Sequence, residues 1–158
     1  MRINLNINGT QQAFEITPEE KLLDVLRREG YMGVKKGCGS GDCGACAVLF
    51  NGHAVNSCLV FAAKADGAEI LTVEGLAKGR ALHPIQEAFL SVGAVQCGYC
   101  TPGMVISTYD LLSRTPDPSE QEIREALSGN LCRCTGYVKQ IEAVKKAAAL
   151  LREDSHDA

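Results

Sequence analysis

The sequence predicts an α+β chain in two parts: a small unit of hairpins and one helix over residues 1–75, then four short antiparallel helices. Three observations predict it. Apolar residues alternate with polar ones around Asn-Gly turns in the first half. After Val73 the apolar period lengthens to that of helices. Eight cysteines divide four and four between the two halves.

Ile3, Leu5 and Ile7 alternate with polar neighbours and run into Asn8-Gly9, the pattern of a strand and a tight hairpin turn, with residues 13–16 returning. Thr17-Pro18-Glu19-Glu20 has the form of a helix start: a capping hydroxyl, a proline at the first helical position and two acids in the first turn. Leu22, Leu23, Val25 and Leu26 supply the apolar stripe, and Gly30 ends the helix. Glycine fills four of the seven non-cysteine positions of residues 37–46, so no regular element is expected there. Residues 47–50, the Asn51-Gly52 turn and residues 54–56 read as a second hairpin, and residues 70–73 as a last strand.

Residues 74–80 have the composition of a linker, and the predicted division is 1–75, a linker 76–83, and 84–158. Residues 84–92 read as one helix and 102–113 as a second, opened by Thr101 and Pro102. Pro116-Asp117-Pro118 closes it, and Ser119-Glu120-Gln121-Glu122 is a capping box for a third. Residues 137–152, rich in Ala, Lys and Leu, form the fourth; brief connections favour an antiparallel bundle. Residues 153–158 are polar and expected to fray.

Composition excludes several classes. Sixteen basic against nineteen acidic side chains leave a net charge of −3 and no basic stripe for nucleic acid. Trp is absent and aromatics are 5%, so base-stacking platforms are not expected. The first six residues hold no apolar signal region and no twin arginine, and no apolar run approaches a bilayer's width. The expected location is the cytoplasm, where thiols stay reduced and available to metals.

The first cysteine set, Cys38-x4-Cys43-x2-Cys46 with Cys58 further on, has the plant-type [2Fe–2S] spacing. Four thiolates around such a cluster carry net negative charge, which calls for N–H donors close to the sulfurs. Gly37, Gly39, Gly41 and Gly44 give the backbone that access. Zinc is the rival, but structural zinc sites usually pair two short knuckles, whereas here three ligands crowd one loop.

The second set is Cys97-x2-Cys100 and Cys132-x-Cys134. Alone it is less diagnostic, because C-x-x-C also serves zinc sites and redox dithiols. Each pair stands just ahead of a helix start, so two helix N-termini with free N–H groups would face one anionic centre. That favours iron–sulfur, with zinc next. A thioredoxin-like role fits poorly, since no βαβ unit surrounds the motif.

Residues 37–46, together with the segments around Gln96-Cys97-Gly98-Tyr99-Cys100-Thr101-Pro102-Gly103 and Cys132-Arg133-Cys134-Thr135-Gly136-Tyr137, resemble the iron–sulfur subunit of the xanthine oxidase family of molybdenum hydroxylases. The likeness runs over residues 1–152, with no departure at a ligand position. It implies a β-grasp, plant-type ferredoxin-like N-terminal domain and a C-terminal four-helix bundle domain. It implies two [2Fe–2S] clusters, the first held by Cys38, Cys43, Cys46 and Cys58, the second by Cys97, Cys100, Cys132 and Cys134. The partners implied are a large subunit holding molybdopterin and a medium subunit holding FAD. Electrons would pass from the molybdopterin through both clusters to FAD or an external acceptor. Gln96 would hydrogen-bond the pterin, and Cys134 would be the ligand nearest to it. The chain would be an oxidoreductase subunit with no substrate site of its own; a purine such as xanthine is the first guess for the complex, with aldehyde, nicotinate-like, carbon monoxide and aromatic acyl-CoA substrates left open.

The remaining polar residues read more plainly. His53, His83 and His156 lack metal-ligand spacing, and a Rieske centre would need two histidines near the loops. Ser57 and Asp42 have no matching base for nucleophilic catalysis. Tyr99 and Tyr137 are expected to shield a cluster or pack at a junction.

Overall fold

The computed structural model describes residues 1–156. Its elements are strands β1 (Arg2–Ile7) and β2 (Thr10–Glu15), helix α1 (Leu22–Arg28), strands β3 (Ala47–Phe50), β4 (His53–Asn56) and β5 (Glu69–Leu71), then helices α2 (Pro84–Ser91), α3 (Thr101–Arg114), α4 (Glu120–Leu127) and α5 (Val138–His156). The chain is therefore α+β. The sheet has the order β2-β1-β5-β3-β4, with β1 and β5 parallel and the other neighbours antiparallel.

Both hairpin turns form where Asn-Gly stands. Asn8 and Gly9 have φ of 53° and 81°, the double positive that a two-residue turn needs, so Ile7 pairs directly with Thr10. For that reason β2 starts three residues before the predicted return strand.

Helix α1 begins at Leu22, not at the Thr17-Pro18 signal. Residues 17–20 close a turn instead, with Glu20 N–H donating to Thr17 O at 3.2 Å and Thr17 N–H to Glu20 Oε2 at 3.3 Å. The next backbone groups are taken by a distant segment: Leu22 N–H donates to Val60 O and Ala62 N–H to Glu20 O, each at 2.8 Å. Long-range pairing outweighs the local capping preference. Three short 3-10 turns, Ser57–Leu59, Ala62–Ala65 and Val73–Leu76, were not expected from periodicity. The last falls where linker composition begins and buries Leu76 in the helical core.

Side-chain caps start two of the four later helices, α2 and α4. Ser119 and Glu122 form the predicted box at α4, with Ser119 N–H donating to Glu122 Oε2 at 2.7 Å and Glu122 N–H to Ser119 Oγ at 3.3 Å. At α2 the cap is His83, whose Nδ1 accepts from Ile85 N–H at 3.2 Å. Helix α5 continues to His156 through the first residues of the tail expected to fray; residues 157–158 of that tail lie outside the described residues.

Two apolar cores meet at β3. Successive side chains on a strand point to opposite faces. Val48 accordingly enters the core of Ile3, Leu5, Leu22, Leu26 and Ile70, while Ala47 and Leu49 enter the core formed by α2–α5. One strand thus serves as a wall shared by both halves, and the cysteine-bearing loops are gathered around its N-terminal end. Among the described residues no helix is long and apolar enough to cross a membrane.

Candidate metal centres

The loop between α1 and β3 carries Cys38, Cys43 and Cys46. Backbone donors turn inward on it: Cys38 N–H lies 3.4 Å from Cys43 Sγ, and Ser40 N–H lies 3.4 Å from Cys38 Sγ. The close approach depends on missing side chains. A Cβ at Gly37 would stand 2.7 Å from Cys43 Sγ. Cys58 arrives from the Ser57–Leu59 turn, which is tied to Cys46 by Ser57 Oγ donating to the Cys46 carbonyl at 2.7 Å. Asn56 Nδ2 holds the Gly41 carbonyl at 2.9 Å.

The thiols of this set differ in character. Hydrogen bonds from the Ser40 hydroxyl, and then from the Ser40 and Cys43 N–H groups, pull the exposed Cys38 thiol down to about 6. Burial, then the neighbouring Cys46 thiol, pushes Cys58 up to about 11. A coordinated metal deprotonates even a raised thiol, and the N–H groups are already aimed at the resulting charge.

The second set joins two loops. Cys97 and Cys100 precede α3, with Cys100 as its N-cap residue, and Cys132 and Cys134 precede α5. Each thiol of one loop meets a thiol of the other. Cys134 Sγ lies 3.7 Å from Cys97 Sγ, and the Cys100 thiol hydrogen-bonds that of Cys132. Burial, then the Cys132 contact, pushes Cys100 up to about 12. Burial also pushes Cys132 up, but the Thr135 hydroxyl and the N–H groups of Cys134 and Thr135 outweigh it and hold that thiol below its ordinary value.

Whether these residues fit a cluster follows from the donor set and its spacing. Each set has four thiols, and both present N–H or O–H donors to sulfur. The Cys38-x4-Cys43-x2-Cys46 loop with Cys58 has the plant-type [2Fe–2S] spacing, and the second set brings four thiols to two helix N-termini. The residues fit [2Fe–2S] clusters.

The two loops also touch each other. Leu131 N–H donates to the Cys43 carbonyl at 2.9 Å, one residue before Cys132. Asn130 Nδ2 donates to the Gly44 carbonyl at 3.2 Å, and the Tyr99 hydroxyl to the Lys36 carbonyl at 2.6 Å. The Tyr137 hydroxyl accepts from Cys132 N–H at 2.8 Å, so both tyrosines brace cysteine loops. Gln96 and Cys134 are exposed, next to Cys97, on the surface side of the second set.

Sequence reasoning passed over Asn130, Thr135 and Gln140. Asn130 gave little signal beyond its place in a Gly-Asn turn. Gln140 gave more, as a polar residue beside Ile141, Val144 and Ala147 on a buried helix face. His83 is a cap, and His53 is an exposed strand residue.

Comparison with known proteins agrees with this geometry. Residues 5–76 match the family described as a 2Fe-2S iron-sulfur cluster binding domain, and residues 72–145 match the [2Fe-2S] binding domain. The chain is 50% identical over 146 residues to the nicotinate dehydrogenase small FeS subunit of Eubacterium barkeri, covering 92% of this chain and 93% of that one. It is 46% identical over 147 residues to the xanthine dehydrogenase iron-sulfur-binding subunit of Escherichia coli O157:H7, covering 90% and 91%. Among solved structures, quinoline 2-oxidoreductase from Pseudomonas putida 86 superposes with a TM-score of 0.93 at 44% identity, over 97% of this chain and 96% of that chain.

Proposed function

The chain belongs to the iron–sulfur subunits of the molybdenum hydroxylases, and from that premise we propose that it is the electron relay of a multi-subunit enzyme. The observation that carries this reading is the hydrogen bond from Leu131 N–H to the Cys43 carbonyl, which joins the two cysteine loops through a few bonds. We assign Cys38, Cys43, Cys46 and Cys58 to one cluster and Cys97, Cys100, Cys132 and Cys134 to the other. When bound, the clusters supply one-electron carriers between the molybdopterin of a large subunit and the FAD of a medium subunit, or an external acceptor.

The residues of this chain divide that work. The N–H groups of Cys38 and Ser40 balance thiolate charge at the first centre, and buried Cys46 and Cys58 anchor it to the sheet. Tyr137 and Asn130 fix the loop of the second centre. Gln96 and Cys134 stand exposed, where a large partner's pterin would reach them. The first centre comes to the surface at Cys38, where a flavin-bearing partner or a diffusible acceptor would dock.

The fold reads as a β-grasp, ferredoxin-like domain over 1–75, a linker 76–83 and a four-helix bundle domain from 84, in the cytoplasm. We propose a nitrogen heteroaromatic substrate for the complex. Nicotinate, xanthine and quinoline, named in the relatives above, are all of that class, and the purine expectation is one member of it.

Purification from the native host, followed by EPR of the dithionite-reduced complex, tests the reading. Larger partners should accompany the chain, and two distinct [2Fe–2S] signals should appear. A chain that isolates alone with zinc and no iron would overturn it.

A further inference from the structure

Gln140 sits in the first turn of α5 and is fully buried, at 0% exposure, on the face that also carries Val144 and Ala147. A buried amide without partners is costly, so its bonds need a full account. Nε2 lies 3.3 Å from the Ala94 carbonyl and 3.8 Å from Cys132 Sγ. Oε1 accepts from the Thr135 hydroxyl at 2.8 Å. Both amide protons and the carbonyl oxygen are thus used.

We propose that Gln140 is a positioning residue for the second centre: its amide donates to the Cys132 sulfur and raises the reduction potential of the cluster held there. The inference rests on the two-cluster reading above.

Counting protons supports it. Thr135 Oγ1 is 3.1 Å from Cys132 Sγ, but the hydroxyl has one proton to give. A ligating thiolate has none. With the Thr135 proton placed on Gln140 Oε1, the second N–H of Gln140 is the side-chain donor that reaches the sulfur, beside the backbone N–H groups of Cys134 and Thr135. Thr135 therefore orients the amide, so that nitrogen and not oxygen faces the thiolate. The other N–H holds Ala94, three residues before Cys97. One side chain ties together the two loops that supply the ligands.

The direction of the effect follows from charge. Reduction adds an electron to an already anionic centre, and a donor on sulfur stabilises the reduced form more than the oxidised one. Removing the donor makes reduction harder. Methionine has similar length and volume but offers no N–H.

The test is an EPR-monitored redox titration of the assembled complex carrying wild-type chain, Gln140→Met or Thr135→Val. Gln140→Met is expected to weaken reduction of the second centre roughly tenfold, a shift of about 59 mV to more negative potential for one electron. Its g-values should move while the first centre stays put, and Thr135→Val should shift the same midpoint in the same direction. An unmoved second midpoint with the signal intact would overturn the inference, even if thermal stability fell, because a purely structural role predicts that result. If Gln140→Met does not retain the cluster, the Thr135→Val midpoint decides in the same way. Absence of a second [2Fe–2S] signal in the wild type would instead overturn the two-cluster reading.

Discussion

Gly103, in the first turn of α3, lies so close to Gly44 that a Cβ on Gly103 would stand 2.3 Å from the Gly44 carbonyl oxygen. That oxygen also accepts from Ala47 N–H at 3.1 Å and from Asn130 Nδ2 at 3.2 Å. Gly44 itself has φ of 68°. One carbonyl thus receives the start of β3, the turn before Cys132 and the helix that follows Cys100. The distance between the two cysteine loops is set here.

Gly103→Ala should therefore force the junction apart. The clash is with backbone, which cannot swing away as a side-chain tip can, so overpacking of about 1–3 kcal/mol is expected. Thermal unfolding reads this as a Tm lower by roughly 2–12 °C for a chain of this size. An unchanged Tm would show that α3 can shift without cost.

Asn130→Ala removes a buried donor at the same point. The Gly44 carbonyl keeps its bond from Ala47 N–H, so no acceptor is stranded. The expected loss is about 1 kcal/mol, seen as a lower urea midpoint with an unchanged slope. It should be smaller than the loss from Gly103→Ala.

His83 should make the helical half sensitive to acid. Burial, then the charge of Lys78, lowers its folded-state pKa below the ordinary 6.5, and the neutral ring is the form that caps α2 through Nδ1. The unfolded chain then takes up the proton first. The contribution is complete above the unfolded value and is lost as pH falls through the window below it. Urea midpoints at about pH 8 and about pH 5.5 should differ more for wild type than for His83→Asn, whose cap does not titrate in that range. Equal differences would remove His83 as the source.

Gln96→Ala tests the partner side. The side chain is exposed beside Cys97, so both clusters should assemble with normal EPR signals. Turnover of the complex should fall, by about tenfold if one hydrogen bond worth about 1.4 kcal/mol is lost where the large subunit docks. Full turnover would take Gln96 out of the electron path.

Much of this was legible in the sequence because the decisive signals were local. Both Asn-Gly hairpins, the Ser119 capping box and the glycine-rich loop each rest on a few adjacent residues. Helix α1 was misplaced at its start because residues 60–62 claim the backbone of residues 20–22, a pairing no local pattern reveals. The junction was hidden for a similar reason. Gly44, Gly103 and Asn130 are far apart in sequence, and nothing in the composition of any one says that the three meet. Gln140 stood out of period, yet its reason is a sulfur eight residues earlier and a carbonyl on another loop.

The central claim is that the eight cysteines form two separate four-thiolate centres in electronic contact. EPR of the reduced complex carrying Cys134→Ser tests it most directly. One [2Fe–2S] signal is expected to be lost or strongly altered while the other keeps its shape and intensity. Two signals of normal shape, or the loss of both together, would contradict it.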